Sequence, residues 1–335
     1  IVLTNSGSAP LKVSNLDFSD PKEFLLESDC LGAAIAAGAK CSVELFFIPS
    51  GAGPQAATLT ITDDAGSGSQ TVALSGSGTE GYYEAGPAGA VTPEGDAPAF
   101  GDVSGRSLNA PIVSIATTPD GDGYWLLGRD GGIFSFGDAA FHGSTGGIRL
   151  NEPVLGMAPT PDGGGYWLVA SDGGVFAFGD AQFFGSAGAM RLNKPIVGMA
   201  VTPDGGGYWL IAADGGIFSF GDAAFYGSTG ALHLRKPIVG AAATPSGNGY
   251  WLFAADGGIF GFGDAQFHGS SAAPVSAPIV GMAVTPDGGG YWEADSTGAV
   301  FAFGDAADLP SPPGIGPIIG LAPTAPPLPP FLLAA

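Results

Sequence analysis

The sequence predicts an all-β chain in two parts, a small antiparallel β-sandwich over residues 1–79 and a six-bladed β-propeller over 80–325, ending in a Pro-rich tail at 326–335. Three observations carry this reading. A triplet ending in a large aromatic recurs at Tyr83, Trp125, Trp167, Trp209, Trp251 and Trp292, at intervals of 42, 42, 42, 42 and 41. A period in the low forties built from short β runs is the signature of propeller blades. The 59 Gly and 28 Pro stand at fixed places between aromatic runs, which marks tight turns rather than disorder. Finally, 45% apolar content against 12% charged is enough to bury a substantial core.

In the first part, short runs of alternating polarity (Leu11–Phe18, Ser42–Ile48, Ala56–Thr62, Gln70–Leu74) are separated by the turn clusters NSGSAP, PSGAGP and DDAGSGS. That is the pattern of a small antiparallel sandwich. Ile1 opens a strand-like run with no basic or apolar leader before it, as expected of a mature or trimmed chain. Cys30 and Cys41 are the two cysteines, eleven residues apart. A disulfide closing that loop suits a secreted protein; two reduced, buried thiols are the alternative, and no CxxC or Cys/His cluster suggests zinc. The stretch SGSGTEG reads as a linker.

Each repeat reads PIVGMAVTP, the turn PDGGG, YWLIAA, the turn DGG, IFSFGDA and AFYGS, then a variable connection. Four strands per unit are expected, joined by Asp-Gly hairpin turns. The openings at Pro111, Pro153, Pro195, Pro237, Pro278 and Pro317 number six, as do the aromatic triplets, but the two series are offset. The first unit begins at its second strand and the last stops after its first, so the partial units add up to one blade. Pairing the terminal strands closes the ring and removes its exposed edges. An open solenoid with two ragged ends is the alternative.

Two resemblances follow from these residues. The segments TNSGSAPLKVSNLDF, SVELFFIPSGAGPQAATLTITDDAG and QTVALSGSGT, with the Cys30 to Cys41 interval, resemble immunoglobulin-like domains of the ASPM/SPD-2/Hydin type. The strand that usually leads such a domain is missing ahead of VLTNSG. The repeat DGGGYWLVASDGGVFAFGDAQFFGS resembles tandem propeller repeats of secreted actinobacterial proteins. This resemblance implies an extracellular or cell-surface bacterial setting and supplies no ligand.

Thirty-one Asp+Glu against ten Lys+Arg give a formal charge of −21, which repels nucleic acid and anionic membrane. No apolar run approaches the roughly 18 residues of a membrane helix, so no membrane insertion is expected. The aspartates of the GDA turns (Asp138, Asp180, Asp222, Asp264, Asp305, with Asp96 in register) are read as bonding turn amides, since one carboxylate per blade cannot converge on a calcium ion. The Trp series is read as packing between blades, with a sugar platform as the alternative. His142 and His268 fill the slot of Phe184 and Tyr226, as edge aromatics would. No catalytic motif is recognised, and no cofactor or metal is expected. No pair of carboxylates is singled out as breaking the repeat.

The connections between blades (103–110, 144–152, 186–194, 228–236, 270–277) are the least alike segments, and they carry Arg106, Arg149, Arg191, Lys194, Arg235 and Lys236. His233 takes the place of Arg149 and Arg191 in the fourth of them. In a propeller such connections share one face, so an acidic body is expected to present a locally basic rim. Arg106, Arg149, Arg191, His233, Arg235 and Lys236 are therefore the candidate ligand-binding residues. The alternative is that their stems merely cover neighbouring blades. The expected function is a non-catalytic recognition or adhesion module for a polysaccharide, a cell-wall polymer or a protein. A structural subunit comes second, a homo-oligomer or filament in which the sandwich accepts a neighbour's strand. An enzyme with its site in the central channel comes third.

Overall fold

The computed structural model describes residues 1–19, 24–32, 34–47, 53–66, 68–78, 81–271, 275–309 and 317–324. The chain divides into two compact units, Ile1–Glu80 and Gly81–Ala335. Strands and turns make up both, with no helix among the described residues. The Pro-rich tail at 326–335 lies outside the described residues.

The first unit contains β1 (Val2–Thr4), β2 (Val13–Phe18), β3 (Phe24–Ser28), β4 (Lys40–Phe47), β5 (Gly53–Asp63) and β6 (Ser69–Gly78). They form two antiparallel sheets, ordered β1-β4-β3 and β2-β5-β6. Alternation along β4 and β5 turns Cys41, Val43, Leu59 and Ile61 inward, where they meet Val13, Cys30 and Ile35 in one apolar cluster. Cys30 and Cys41 are joined in a disulfide within it, with Cα atoms 5.2 Å apart. The first four residues of the segment expected to be a linker, Ser75–Gly78, belong to β6 instead, and residues 79 and 80 lie outside the described residues. Ser75 and Gly76 pair with Ala56 and Gln55, because β5 is long enough to carry the ladder to Gly78. Gly76 also leaves room for Phe47, whose ring lies 2.5 Å from where a Cβ would stand.

The second unit opens with β7 (Tyr82–Ala85) and β8 (Val91–Glu94). Five hairpin-linked triplets follow: β9 (Ile112–Thr117), β10 (Gly123–Gly128), β11 (Ile133–Gly137); β12 (Val154–Pro159), β13 (Gly165–Ala170), β14 (Val175–Gly179); β15 (Ile196–Val201), β16 (Gly207–Ala212), β17 (Ile217–Gly221); β18 (Ile238–Ala243), β19 (Gly249–Ala254), β20 (Ile259–Gly263); and β21 (Ile279–Val284), β22 (Gly290–Asp295), β23 (Val300–Gly304). The last strand, β24 (Gly320–Pro323), pairs with β7, so the sixth three-stranded sheet, β24-β7-β8, draws on both ends of the unit. The backbone bonds Ile319 N to Ala85 O (2.8 Å) and Thr324 N to Gly81 O (2.9 Å) flank this pairing. The first strands lie side by side in the succession β9, β12, β15, β18, β21, β24, and β24 in turn lies beside β9.

Each middle strand is buried along its whole length, which is why GYWL recurs with so little variation. Tyr faces one neighbouring sheet and Trp the other: the ring centroids of Trp125 and Tyr166, Trp167 and Tyr208, and Trp209 and Tyr250 are 5.7, 5.9 and 5.4 Å apart. The Trp residues are therefore packing elements between sheets.

The expected fourth strand is absent: each sheet has three strands, and the runs following Asp138, Asp180, Asp222 and Asp264 carry no ladder. Side chains hold these runs instead. Trp125 Nε1 donates to Ala140 O (2.7 Å), His142 N donates to Tyr166 Oη (3.1 Å), and Tyr166 Oη donates to Gly143 O (2.6 Å). Gly143, at φ 136°, lies so near Phe178 that a Cβ would meet its ring at 2.5 Å.

Two outcomes are expected. Replacing Cys30 and Cys41 together by Ser should cost the first unit about 3 kcal/mol, the loop-closure value for so short a loop, measurable by denaturant unfolding. Deleting residues 317–335 removes β24 and exposes one edge of β7, so the shortened protein should aggregate on size-exclusion chromatography or melt without cooperativity.

Candidate functional site

The two ends of the first strands carry different chemistry. At their beginnings lie the connections, each held by a short turn: Thr145 N donates to Gly131 O (3.1 Å) and Ile148 N to Thr145 O (3.0 Å). Equivalent bonds join Met190 N to Ala187 O and Leu232 N to Thr229 O, both at 2.8 Å. The turn directs the next residues outward. Ile148, Met190 and Leu232 are 59%, 51% and 59% exposed, and Arg149, Arg191 and His233, which follow them, are exposed as well. Leu150, Leu192 and Leu234 then turn in and pack against the sheets. Covering of the neighbouring sheet thus falls to leucine, and the cations are left free to face solvent.

Arg235 and Lys236 are exposed in the same connection as His233. Arg106 is exposed too, but its turn bond, Arg106 N to Val103 O (3.1 Å), sets it at the register of Ile148 rather than of Arg149. Among the described residues no hydrogen bond or ion pair joins any of these six side chains to another, so they share an end of the sheets without forming a cluster. Beside them a shallow groove of about 300 Å³ is lined by residues including Arg129, Ile148, Asn151 and Glu152.

At the opposite ends of the first strands a cavity of about 700 Å³ is lined by Pro119, Pro161, Pro203, Pro245, Pro286 and Pro323, together with Thr, Val, Ile and Leu side chains from the same strand ends. Its lining residues include no acid, no base and no cysteine. The threonines satisfy themselves: Thr160 Oγ1 accepts from Gly165 N (2.9 Å) and donates to Asp180 Oδ1 (3.1 Å). The cavity can therefore shelter an apolar body.

The aspartates divide by position. Asp130, Asp172 and Asp214 accept from the amide two residues on, as expected of turn residues. Those of the GDA turns differ from expectation: Asp180, Asp222 and Asp305 accept from the hydroxyls of Thr160, Thr202 and Thr285, because that turn folds back onto the Thr-Pro-Asp turn of its own sheet. In the second repeat Asp122 replaces the glycine found at Gly164 and Gly206, and Asp120, Asp122 and Asp138 bring carboxylate oxygens within 4.8 Å of one another. Burial and the neighbouring Asp120 push the Asp138 carboxyl above its usual range. These three exposed carboxylates are a set that could hold a cation. His142 and His268 are edge aromatics: each rests on a Tyr ring and places Nε2 within 3.1–3.2 Å of a turn carbonyl, as the hydroxyl of Tyr226 does.

Sequence reasoning missed three buried acids. Glu84 and Glu293 stand where the other middle strands have Leu126, Leu168, Leu210 and Leu252, and Asp295 stands at the position of Ala254; all three acids are 0% exposed. Glu293 accepts from Ser271 N (3.0 Å) and Ser271 Oγ (2.6 Å). The signal was an acid in a column of leucines for Glu84 and Glu293, and an acid in a column of Gly and Ala for Asp295.

No family model matches the chain. No curated protein matches it either. Among solved structures, a structural genomics protein of unknown function from Bacteroides thetaiotaomicron VPI-5482 is similar, with a TM-score of 0.52 and 11% identity over 96% of this chain and 95% of that one. At that identity the likeness is one of fold.

Replacing Trp209 by Ala empties a site 1% exposed and frees the carbonyl of Ala224, so unfolding should become easier by about 3–5 kcal/mol, measured by calorimetry or denaturant titration.

Proposed function

We propose that residues 81–324 form a closed six-bladed β-propeller, that the first unit is an immunoglobulin-like sandwich, and that the protein is a non-catalytic extracellular recognition module. The observation that carries the functional part is the pairing of an exposed apolar side chain with an exposed basic residue at one register of successive repeats: Ile148-Arg149, Met190-Arg191 and Leu232-His233. Units that repeat around a ring suit a ligand that itself repeats, and cations beside apolar contacts suit a sugar chain bearing carboxylates. The body carries a formal charge of −21, so such a ligand is held by the basic rim and repelled elsewhere. The disulfide within the first unit is consistent with an oxidising, extracellular location. We read the ligand as an acidic polysaccharide or cell-wall polymer.

Substituting Arg149, Arg191 and Arg235 together by Ala removes three contacts of about 1 kcal/mol each, which should weaken binding to an immobilised acidic polysaccharide such as polygalacturonate roughly a hundredfold. The melting temperature should stay within about a degree of the parent, since the sites are exposed. Unchanged affinity in the triple variant would contradict the rim assignment.

A further inference from the structure

We propose that Glu84 and Asp295 form a buried site for a divalent, oxygen-seeking cation of the calcium class, placed where the last sheet of the second unit meets the first. Glu84 projects from β7 toward the turn that follows β22, a place where the other repeats put Thr145, Ala187 or Thr229 against the turn glycine. Its carboxylate lies across Gly298, with Oε2 and Oε1 3.0 and 3.2 Å from where a Cβ on that glycine would stand. Both oxygens are buried, and among the described residues neither has a hydrogen-bond partner.

Asp295 completes the pair with its two oxygens in different states. Oδ1 accepts from Thr297 N (2.8 Å), Thr297 Oγ1 (2.6 Å) and Ala299 N (3.2 Å), which fixes the carboxylate; Oδ2 is buried and unpartnered. Three carboxylate oxygens without partners therefore remain at one seam. The ionisable groups acting on Glu84 are Glu94 and Asp295, and those acting on its neighbour Tyr82 are Glu84 and Glu94, all of them acidic. β24, which pairs with β7 on its other side, has no ionisable residue.

An ionised carboxylate without a partner is costly to bury, and a second acid nearby adds to the cost. A hydrophobic alternative was open, since four of the repeats have leucine at this position. Calcium coordinates six to eight oxygens and accepts carboxylates in flexible geometry, so the unpartnered oxygens of these two acids would supply part of its shell. One shared proton would pair two of the three oxygens and leave the third without a partner.

The test uses the full chain, stripped with chelator at pH 8, where the Glu84 carboxylate is ionised. Millimolar CaCl2 should raise its melting temperature by roughly 5 °C or more, saturably, and MgCl2 should do less. Terbium should bind with luminescence sensitised by the neighbouring aromatics. Glu84→Leu, which installs the residue of the other repeats, should melt independently of calcium; Glu84→Gln, of nearly the same shape, should lose the calcium response even if the Leu variant misfolds. Asp120→Asn, which alters the exposed cluster, should retain the response. A calcium response that is the same in the parent and Glu84→Gln would overturn the proposal. So would a parent protein whose melting responds to pH between 5 and 8 and not to CaCl2, the behaviour of a pair that shares a proton.

Discussion

The second unit depends on one contact repeated from sheet to sheet, the indole of one middle strand against the phenol of the next. The rings of Trp251 and Tyr291, 5.8 Å apart, continue the series formed by the earlier pairs, and Tyr83 and Tyr124 (4.7 Å) occupy the same place at the start of the unit. The heteroatoms on these rings extend the effect. Trp251 Nε1 donates to Gln266 O (2.6 Å) and Tyr250 Oη to Gly227 O (2.6 Å), so a ring buried between two sheets also fastens the outer segment that passes over it. A middle strand consequently cannot move without disturbing both neighbours. In this respect the repeats behave as nearest-neighbour-coupled units.

That framework leaves little freedom along the strands and concentrates variation at their ends. One end gathers prolines around a cavity of about 700 Å³, where rigid φ angles and missing amide donors produce an apolar lining. The other presents the connections, whose turns hold the backbone and release the following side chains to solvent. The division between scaffold and surface follows from where backbone hydrogen bonds are already satisfied. The seam between the last and first sheets departs from it, because buried acids replace aliphatic residues there and the local charge needs an answer from outside the sheets.

Much of this was legible in the sequence, for identifiable reasons. The interval between the Trp residues fixed the repeat length, and the offset between Tyr83 at one end and Pro317 at the other anticipated the pairing of β24 with β7. The cysteine spacing anticipated the disulfide. The fourth strand failed because AFYGS has the composition of a strand, and composition does not reveal that its backbone bonds go to Tyr and Trp side chains. The linker at SGSGTEG failed similarly, since Ser and Gly are as compatible with the end of a long hairpin as with a free segment. The basic residues of the connections were found as a set, and the repeat interval already placed Arg106 one register away from Arg149, level with Ile148, as its turn bond shows.

Closure of the ring by its two ends is the central structural claim, and hydrogen exchange measures it without altering the protein. If β24 and β7 are as firmly paired as the strands within one hairpin, the amides of Tyr82–Ala85 and Gly320–Leu321 should exchange as slowly as those of β13 and β16, at the rate set by global unfolding. Amides of β7 and β24 that exchange orders of magnitude faster than those of β13 would contradict closure and describe an open stack with frayed ends.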